Sequence, residues 1–364
     1  MIISILYAGS FSFLLIYIFF MLKYIRLWKS TPDFSFSEGH VNLKLTVVIP
    51  FFNEEKSLHR IITSLKKQTL NQKYWEVLFV NDNSTDNSAA VLKEYCLQNA
   101  NCSILNNRGE GKKSALKTGI ENAKGELIVT TDADCVFPEN RLKTILNFYS
   151  ASHTDFMIMP VVMTGNRNFL QRFFVTDFLA LQMVTAGSAL SGKPLMSNGA
   201  NMAFKRIADD PDLKENYASG EDMFLLEWMK KEGKKTGYLK SKDVLVSTRA
   251  PQTLKQFLSQ RSRWISKAGG YRDAFLIAFS LLVFSVNLLT VIFLIASFLN
   301  PDMWFTFGLW YGSKTLTDYL LIRSGFSFFE IHISLPEFAF MQLLYPFYML
   351  LVTVGGFLFP VKWK

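Results

Sequence analysis

The sequence predicts an α/β domain built on a mostly parallel sheet, with membrane helices at its amino and carboxyl ends. Three observations carry this. Between residues 44 and 248, short apolar runs of strand type alternate with helix-patterned segments, as in a parallel sheet covered by helices. The apolar excess, 49% of 364 residues with 34 Phe, gathers at the two ends instead of spreading through one core. The run Leu127-Ile128-Val129 leads straight into Thr130-Thr131-Asp132-Ala133-Asp134-Cys135, which carries two acids to a sheet edge.

Residues 1–22 are almost wholly apolar and are followed by Lys23, Arg26 and Lys29. A cleaved signal peptide has its basic residues before the apolar stretch, so this segment reads as an uncleaved membrane helix. The basic flank puts residue 23 onward on the cytoplasmic side, with 23–43 as a linker. A buried strand over 45–49 is ended by Pro50. Asn53 caps a helix whose Glu54 and Glu55 complement its positive end, and Leu58, Ile61, Ile62 and Leu65 form the inward stripe. Strand 76–80 runs into the turn 81–86, helix 89–97 follows, and strand 103–105, helix 112–123 and strand 126–131 complete the first half. Phe169 to Met183 suits an interfacial helix or a core one. A helix over 220–232 begins with Glu221 and Asp222.

Residues 249–273 form an amphipathic, basic interfacial helix begun by Pro251, with Leu254, Phe257 and Leu258 on its apolar face. The carboxyl-terminal region, 274–364, holds spans at about 274–299, 303–322 and 338–359. Lys314 and Asp318 lie four apart inside the second of these, so it either crosses with an internal ion pair or lies as an interfacial hairpin. Which side the tail, 361–364, occupies depends on that choice.

The net charge of +9 comes from basic residues beside the apolar ends. That favours a membrane surface and disfavours nucleic acid, which would need a basic groove with interleaved aromatics. Cys96, Cys102 and Cys135 form no metal-ligand spacing and no even-numbered disulfide set, as fits a reducing compartment.

Asp132 and Asp134, at the carboxyl edge of a strand, can chelate a hard divalent cation, and the cation can hold a diphosphate. Around them, Val-Val-Ile-Pro-Phe-Phe-Asn-Glu-Glu (47–55), Val-Asn-Asp-Asn-Ser-Thr-Asp (80–86), Gly-Lys-Lys-Ser-Ala-Leu-Lys-Thr-Gly (111–119), Thr-Asp-Ala-Asp (131–134), Ser-Asn-Gly-Ala-Asn (197–201), Gly-Glu-Asp (220–222) and Gln-Arg-Ser-Arg-Trp (260–264) follow in order. In these residues the chain resembles the family 2 glycosyltransferases of the GT-A fold. It resembles in particular their integral-membrane branch, which holds polysaccharide synthases and ceramide glucosyltransferase-like enzymes.

The resemblance implies roles. Asp82 reads the uracil N–H and ribose, although family members usually carry Asp-Asp-Gly where this chain has Asn81-Asp82-Asn83. Asn83 tolerates the left-handed backbone that Gly would take. Pro50, Phe51 and Glu54 frame the nucleotide pocket. Lys112 faces the nucleotide and Lys113 is solvated, while Asp86 serves as either a ligand or a capping residue. Asp134 is the closer metal ligand and Asp132 supports metal or nucleotide-sugar, the metal being Mg²⁺ or Mn²⁺. Asp222 is the general base of an inverting transfer, with Glu221 orienting or capping and Asn198-Gly199 bringing backbone to the acceptor. Gln260, Arg263 and Trp264 share one helix face and close over the donor, Trp264 also supporting the acceptor sugar. Arg261 projects elsewhere, toward lipid headgroups.

The implied activity is transfer of a sugar from a UDP-sugar to a lipid, lipid-linked or glycan acceptor at the cytoplasmic face of a bacterial-type inner membrane. Two alternatives stand beside it. One is the catalytic subunit of a processive polysaccharide synthase, in which a partner subunit or homo-oligomer supplies the channel. The other is a non-catalytic sugar-nucleotide sensor in an export complex, which would show erosion of a metal, base or clamp motif.

Overall fold

The computed structural model describes residues 2–35, 43–165, 168–207, 211, 213–214, 217 and 219–358. The 361–364 tail and part of the 23–43 linker lie outside them. The chain divides into an α/β unit, 31–165 with 196–250, and a helical unit, 2–30 with 166–195 and 251–361. The expected continuous domain 44–248 is thus interrupted by a segment that belongs to the helical unit.

The α/β unit holds β1 Leu45–Phe51, β2 Trp75–Asn81, β3 Cys102–Asn106, β4 Leu127–Thr130, β5 Phe156–Ile158, β6 Val161–Thr164, β7 Met202–Lys205, β8 Thr236–Tyr238 and β9 Val246–Arg249. Seven strands form one sheet in the order β3-β2-β1-β4-β7-β5-β8, and β6 pairs with β9 in a second. All pairings are parallel except those of β7, which runs against both β4 and β5. The strands read as continuous apolar runs because helices cover them; every residue of β1 and β4 is buried. The chain reverses its winding direction between β1 and β4, so a crevice opens at their carboxyl ends.

Pro50 lies within β1 and does not end it. Its missing N–H is harmless because the β4 pairing stops at Val48↔Thr130, leaving Pro50 flanked by β2 alone, at Val80. The helix Gly111–Asn122 packs close on β1 through Gly119, where a Cβ would meet Val48 Cγ1 at 2.3 Å. The first expected helix starts later than its charges suggested. Residues 53–57 form a turn and the helix is Leu58–Lys66. Asn53, at φ 54°, instead accepts from the backbone of Thr85 at 2.8 Å. Cys96 and Cys102 form a disulfide, where the cysteine pattern had pointed to no disulfide set; Cys135 is free and buried.

The helical unit contains Ile2–Ser30, Phe169–Leu190, Leu254–Ser266, Ala274–Leu299, Met303–Phe329 and Leu335–Leu358. Among the described residues, four stretches are long and apolar enough to cross a membrane: Gly9–Ser30, Phe169–Leu190, Ala274–Leu299 and Leu335–Gly356. Phe169–Leu190 is apolar on most sides and largely buried, as a helix inside a bundle must be. Its Gly187 lies where a Cβ would meet Tyr24 Cβ at 2.3 Å, so two helix backbones approach closely there.

Met303–Phe329 is more polar, and the polarity is internal. Lys314 Nζ donates to Asp318 Oδ2 at 2.8 Å and to Gln342 Oε1 at 2.9 Å, and the Tyr17 hydroxyl donates to Asp318 Oδ1 at 2.6 Å. The expected i,i+4 pair faces the bundle interior, with Lys314 1% exposed.

Removing one member of a buried pair costs about 3–5 kcal/mol because the other charge is left uncompensated. Lys314→Leu should therefore lower the thermal midpoint in detergent micelles, and Lys314→Leu with Asp318→Leu should recover most of the loss. A double variant no more stable than the single one would count against this network as the brace between helices.

Candidate active site

Four strand or helix ends build the cleft. At the end of β2, the Asp82 carboxylate accepts from Asn107 Nδ2 at 2.7 Å and from the backbone N–H of Gly111 at 2.9 Å, through the same oxygen. Asp82 thereby holds the first residue of the Gly111–Asn122 helix, whose second residue is Lys112. The turn beside it is built from side chains: Asn81 Oδ1 accepts from Ser84 N at 2.9 Å, and Asn83 takes the left-handed conformation, φ 61°, as anticipated. Asp86 accepts from the backbone of Ser88 at 3.0 Å and of Glu55 at 3.1 Å, tying the turn to the segment after β1.

At the end of β1, the Phe51 side chain is 2% exposed and sits edge-on to Phe79, inside the hydrophobic core. Glu54 accepts from the Ser57 hydroxyl. Burial raises its pKa, the Ser57 hydrogen bond opposes this, and the charges of Asp134, Asp132 and Asp86 raise it further.

Beyond β4, Asp132 and Asp134 enter the cleft partly exposed. Lys112 Nζ lies 2.5 Å from Asp132 Oδ1 and 3.4 Å from Glu221 Oε1. Burial alone would lower the Lys112 pKa, but these two carboxylates outweigh it and hold the ammonium well above its ordinary value. For Asp132, burial raises the pKa, Lys112 opposes it, and Asp134 adds to the rise. Asp134 accepts from the Thr248 hydroxyl at 3.2 Å.

Ligand atoms of Asp132, Asp134 and Cys135 lie within 4.8 Å of one another. The Cys135 thiol is pushed well up by burial and then by the two carboxylates, so it stays protonated. The usable donors are therefore two carboxylates, a hard oxygen set. That set fits a divalent cation of the Mg²⁺ or Mn²⁺ kind.

The fourth wall is the turn 197–201 with the start of the Glu221–Lys231 helix. Asp222 Oδ2 accepts from Gly199 N at 3.2 Å and Oδ1 from Met223 N at 2.8 Å, while the Ser197 hydroxyl donates to the Asp222 carbonyl at 2.7 Å. Glu221 is 4% exposed and accepts from Gly220 N at 2.9 Å, a capping contact. A Cβ on Gly199 would lie 3.4 Å from Glu221 Oε1, 3.6 Å from Lys112 Nζ and 3.8 Å from Asp222 Cβ. Lys112, Asp132, Gly199, Glu221 and Asp222, predicted from distant stretches of sequence, therefore meet in one place.

Lys113, expected to be solvated, is buried. Its ammonium donates to the carbonyls of Lys214 at 2.8 Å and Tyr217 at 2.7 Å and lies over the Phe224 ring. Arg141 was not anticipated. It is fully buried and bonds to Asn201 and Thr130, and the available signal was a basic residue on the inward stripe it shares with Leu142, Ile145 and Leu146.

Gln260, Arg263 and Trp264 belong to the helical unit and are partly buried on the Leu254–Ser266 helix. Thr253, with a reciprocal capping box to Gln256, starts this helix; Pro251 precedes it. Arg261, expected to meet lipid headgroups, is instead 4% exposed. It is ion-paired to Asp177 and stacked 4.1 Å from the Trp264 ring.

Residues 46–206 match the model of glycosyl transferase family 2, and residues 127–357 match that of glycosyl transferase family group 2. The chain belongs to the family 2 group of glycosyltransferases. Among solved structures, this glycosyltransferase is similar to the mannosyltransferase PcManGT from Pyrobaculum calidifontis in complex with GDP-Man and Mn²⁺. The identity is 17% and the TM-score 0.58, covering 98% of this chain and 97% of that one. It is more distantly similar to S. aureus TarS in complex with UDP-GlcNAc, at 17% identity and a TM-score of 0.46 over 83% and 91% of the two chains. The likeness to PcManGT shows the GT-A fold, and the family shows that the enzyme is a glycosyltransferase.

The raised pKa of Glu54 makes a signed prediction. In the folded protein this carboxyl holds its proton more tightly than in the unfolded chain, so its ionised form costs stability above the raised pKa. Glu54→Gln should raise the thermal midpoint of metal-free protein at neutral pH. The gain should shrink as pH falls through the raised pKa toward the ordinary carboxylate value. A midpoint difference that does not change with pH would contradict this.

Proposed function

We propose that this glycosyltransferase inverts the anomeric centre as it moves a sugar from a UDP-sugar to a hydroxyl of a lipid, lipid-linked or glycan acceptor at the cytoplasmic membrane face. The observation that carries the reading is the convergence around Gly199: a fixed carboxylate, Asp222, opposite a partly exposed acid pair, Asp132 and Asp134, with Lys112 between.

Asp222 is the general base. Two backbone N–H groups fix its carboxylate, and it takes the proton from the acceptor hydroxyl as that oxygen attacks the anomeric carbon. Gly199, lacking a side chain, lets the acceptor approach this carboxylate. Asp134 and Asp132 would hold Mg²⁺ or Mn²⁺, which when bound supplies Lewis-acid stabilisation of the departing diphosphate. Lys112 adds positive charge on the same side. Asp82 offers its second oxygen to the nucleotide, with Pro50, Phe51 and Glu54 shaping the pocket. Gln260, Arg263 and Trp264 are proposed to complete the donor and acceptor sites.

The basic flank Lys23, Arg26 and Lys29 and the four apolar helices support a membrane location with residue 23 onward in the cytoplasm. We also propose that Met303–Phe329 crosses the membrane, since its charged pair is turned inward and neutralised.

The test is release of nucleoside diphosphate by detergent-solubilised protein. It is run with a panel of UDP- and GDP-sugars, with Mn²⁺ or Mg²⁺, and with or without membrane lipid extract. Release with one UDP-sugar is expected, stimulated by lipid and abolished by EDTA. Asp222→Asn should lower kcat by about 10²–10⁴-fold. Release with GDP-sugars alone would overturn the donor. Failure of UDP and Mn²⁺ to bind at all would overturn the site.

A further inference from the structure

We propose that Arg141 is a positioning residue for the transfer reaction: its buried guanidinium holds the metal-acid segment and the acceptor turn in register. This rests on the roles proposed above for Asp132, Asp134, Gly199 and Asp222.

Arg141 opens the Arg141–Ser152 helix and is 0% exposed. Its Nε and Nη2 donate to Asn201 Oδ1 at 3.2 and 2.8 Å, and Nη2 also donates to the Thr130 carbonyl at 3.3 Å. The guanidinium carbon lies 4.7 Å from the centre of the Phe137 ring. Each partner leads directly to a reacting group. Thr130 is the last residue of β4, two before Asp132, and its hydroxyl donates to the Gly199 carbonyl at 2.8 Å. Asn201 closes the acceptor turn by donating its backbone N–H to the Asn198 carbonyl at 2.9 Å. Gly199, inside that turn, donates to Asp222. The Asn201 amide also donates to the carbonyls of Pro160 and Val244, both at 2.7 Å, fixing the turn to two further segments.

The choice of residue is costly, which makes it informative. Burial lowers the Arg141 pKa to about 10, so the group is still charged at neutral pH. Among the described residues no carboxylate lies within ion-pair distance of it, and its Nη1 is buried without a hydrogen-bond partner. A core position of this kind is normally filled by an apolar side chain, since a buried unpaired charge is expensive. The planar fork is the feature an apolar side chain lacks. It reaches a strand-end carbonyl and a turn amide together, across the gap between β4 and the 198–201 turn.

The experiment compares Arg141→Lys, which keeps charge without the fork, with Arg141→Met, which keeps neither. Ile145→Val, one turn along the same helix in the core, controls for lost stability. Three quantities are read: the thermal midpoint, binding of Mn²⁺ with UDP by electron paramagnetic resonance, and steady-state kinetics with the active UDP-sugar. Both Arg141 variants should bind Mn²⁺ and UDP within about threefold of wild type, yet lose about 100-fold in kcat, the usual cost of misplacing a catalytic group by about 1 Å. Lys should rescue no better than Met, and Ile145→Val should keep its kcat.

Unchanged kcat per folded molecule in the Arg141 variants would make Arg141 a stability residue only and overturn the inference. Loss of Mn²⁺ and UDP binding in step with kcat would also overturn it, placing Arg141 in the donor half alone. A wild-type enzyme that binds neither UDP nor Mn²⁺ would instead sink the functional reading, and this inference with it.

Discussion

Among the described residues of the cleft, carboxylates outnumber ammonium groups, and the remaining features of the site follow from that imbalance. Asp132, Asp134, Glu221 and Asp222 come from two chain segments that the fold brings together, and Lys112 stands among them. Like charges so close repel one another and repel a diphosphate. Lys112 offsets part of the excess by pairing with Asp132 and Glu221 at once. The backbone N–H groups of Gly199, Gly220 and Met223 offset more by donating to Asp222 and Glu221. Asp132 and Asp134 remain partly exposed, and Asp134 has no basic partner among the described residues. A divalent cation is the natural complement to that pair, and it would bring the positive charge an incoming diphosphate needs.

The helical unit obeys the same rule by different means. Lys314 and Asp318 neutralise each other and take Gln342 and Tyr17 as further partners. Arg261 and Asp177 do the same between two helices, and the arginine then stacks on Trp264. Burying such pairs is not stabilising in itself, but mispairing the helices that carry them would strand a charge. The pairs therefore select which helix faces meet. The Arg261 contact extends that selection to the orientation of a tryptophan from the Gln-Arg-Ser-Arg-Trp run.

Where function and fold coincide locally, the sequence was readable. The strands of the α/β unit announced themselves as apolar runs because both faces are covered. The acid pair was visible because a strand end next to Asp-x-Asp can point only into the edge crevice. Lys314 and Asp318 were visible because four residues is one helical turn. Long-range partners were not. Lys113 looked solvated because the carbonyls that bind it belong to residues a hundred positions later. Arg261 looked lipid-facing because Asp177 is 84 residues away. Cys96 and Cys102 pair because the end of the Ser88–Leu97 helix and the start of β3 bring them together, a proximity that cysteine spacing does not encode. Helix starts were misjudged at Asn53 and Pro251 for one reason. Residues that favour a helix start also favour the turn just before it, and the nearby Ser57 and Thr253 took the capping positions.

The Gly-Lys-Lys run at 111–113 condenses this logic into three residues. Gly111, at φ 86°, adopts a backbone conformation that a side chain would resist, and so lets the helix begin directly beneath Asp82. That start fixes the direction of the next two side chains, about 100° apart around the helix axis. Lys112 turns into the cleft toward Asp132 and Glu221. Lys113 turns the other way and secures the carbonyls of Lys214 and Tyr217, on the segment that leads into the Glu221–Lys231 helix. One lysine therefore sets the charge of the site while its neighbour anchors the approach to the helix that presents Asp222. Asp82 couples the two lysines to the end of β2, because its carboxylate holds the helix start from which both project.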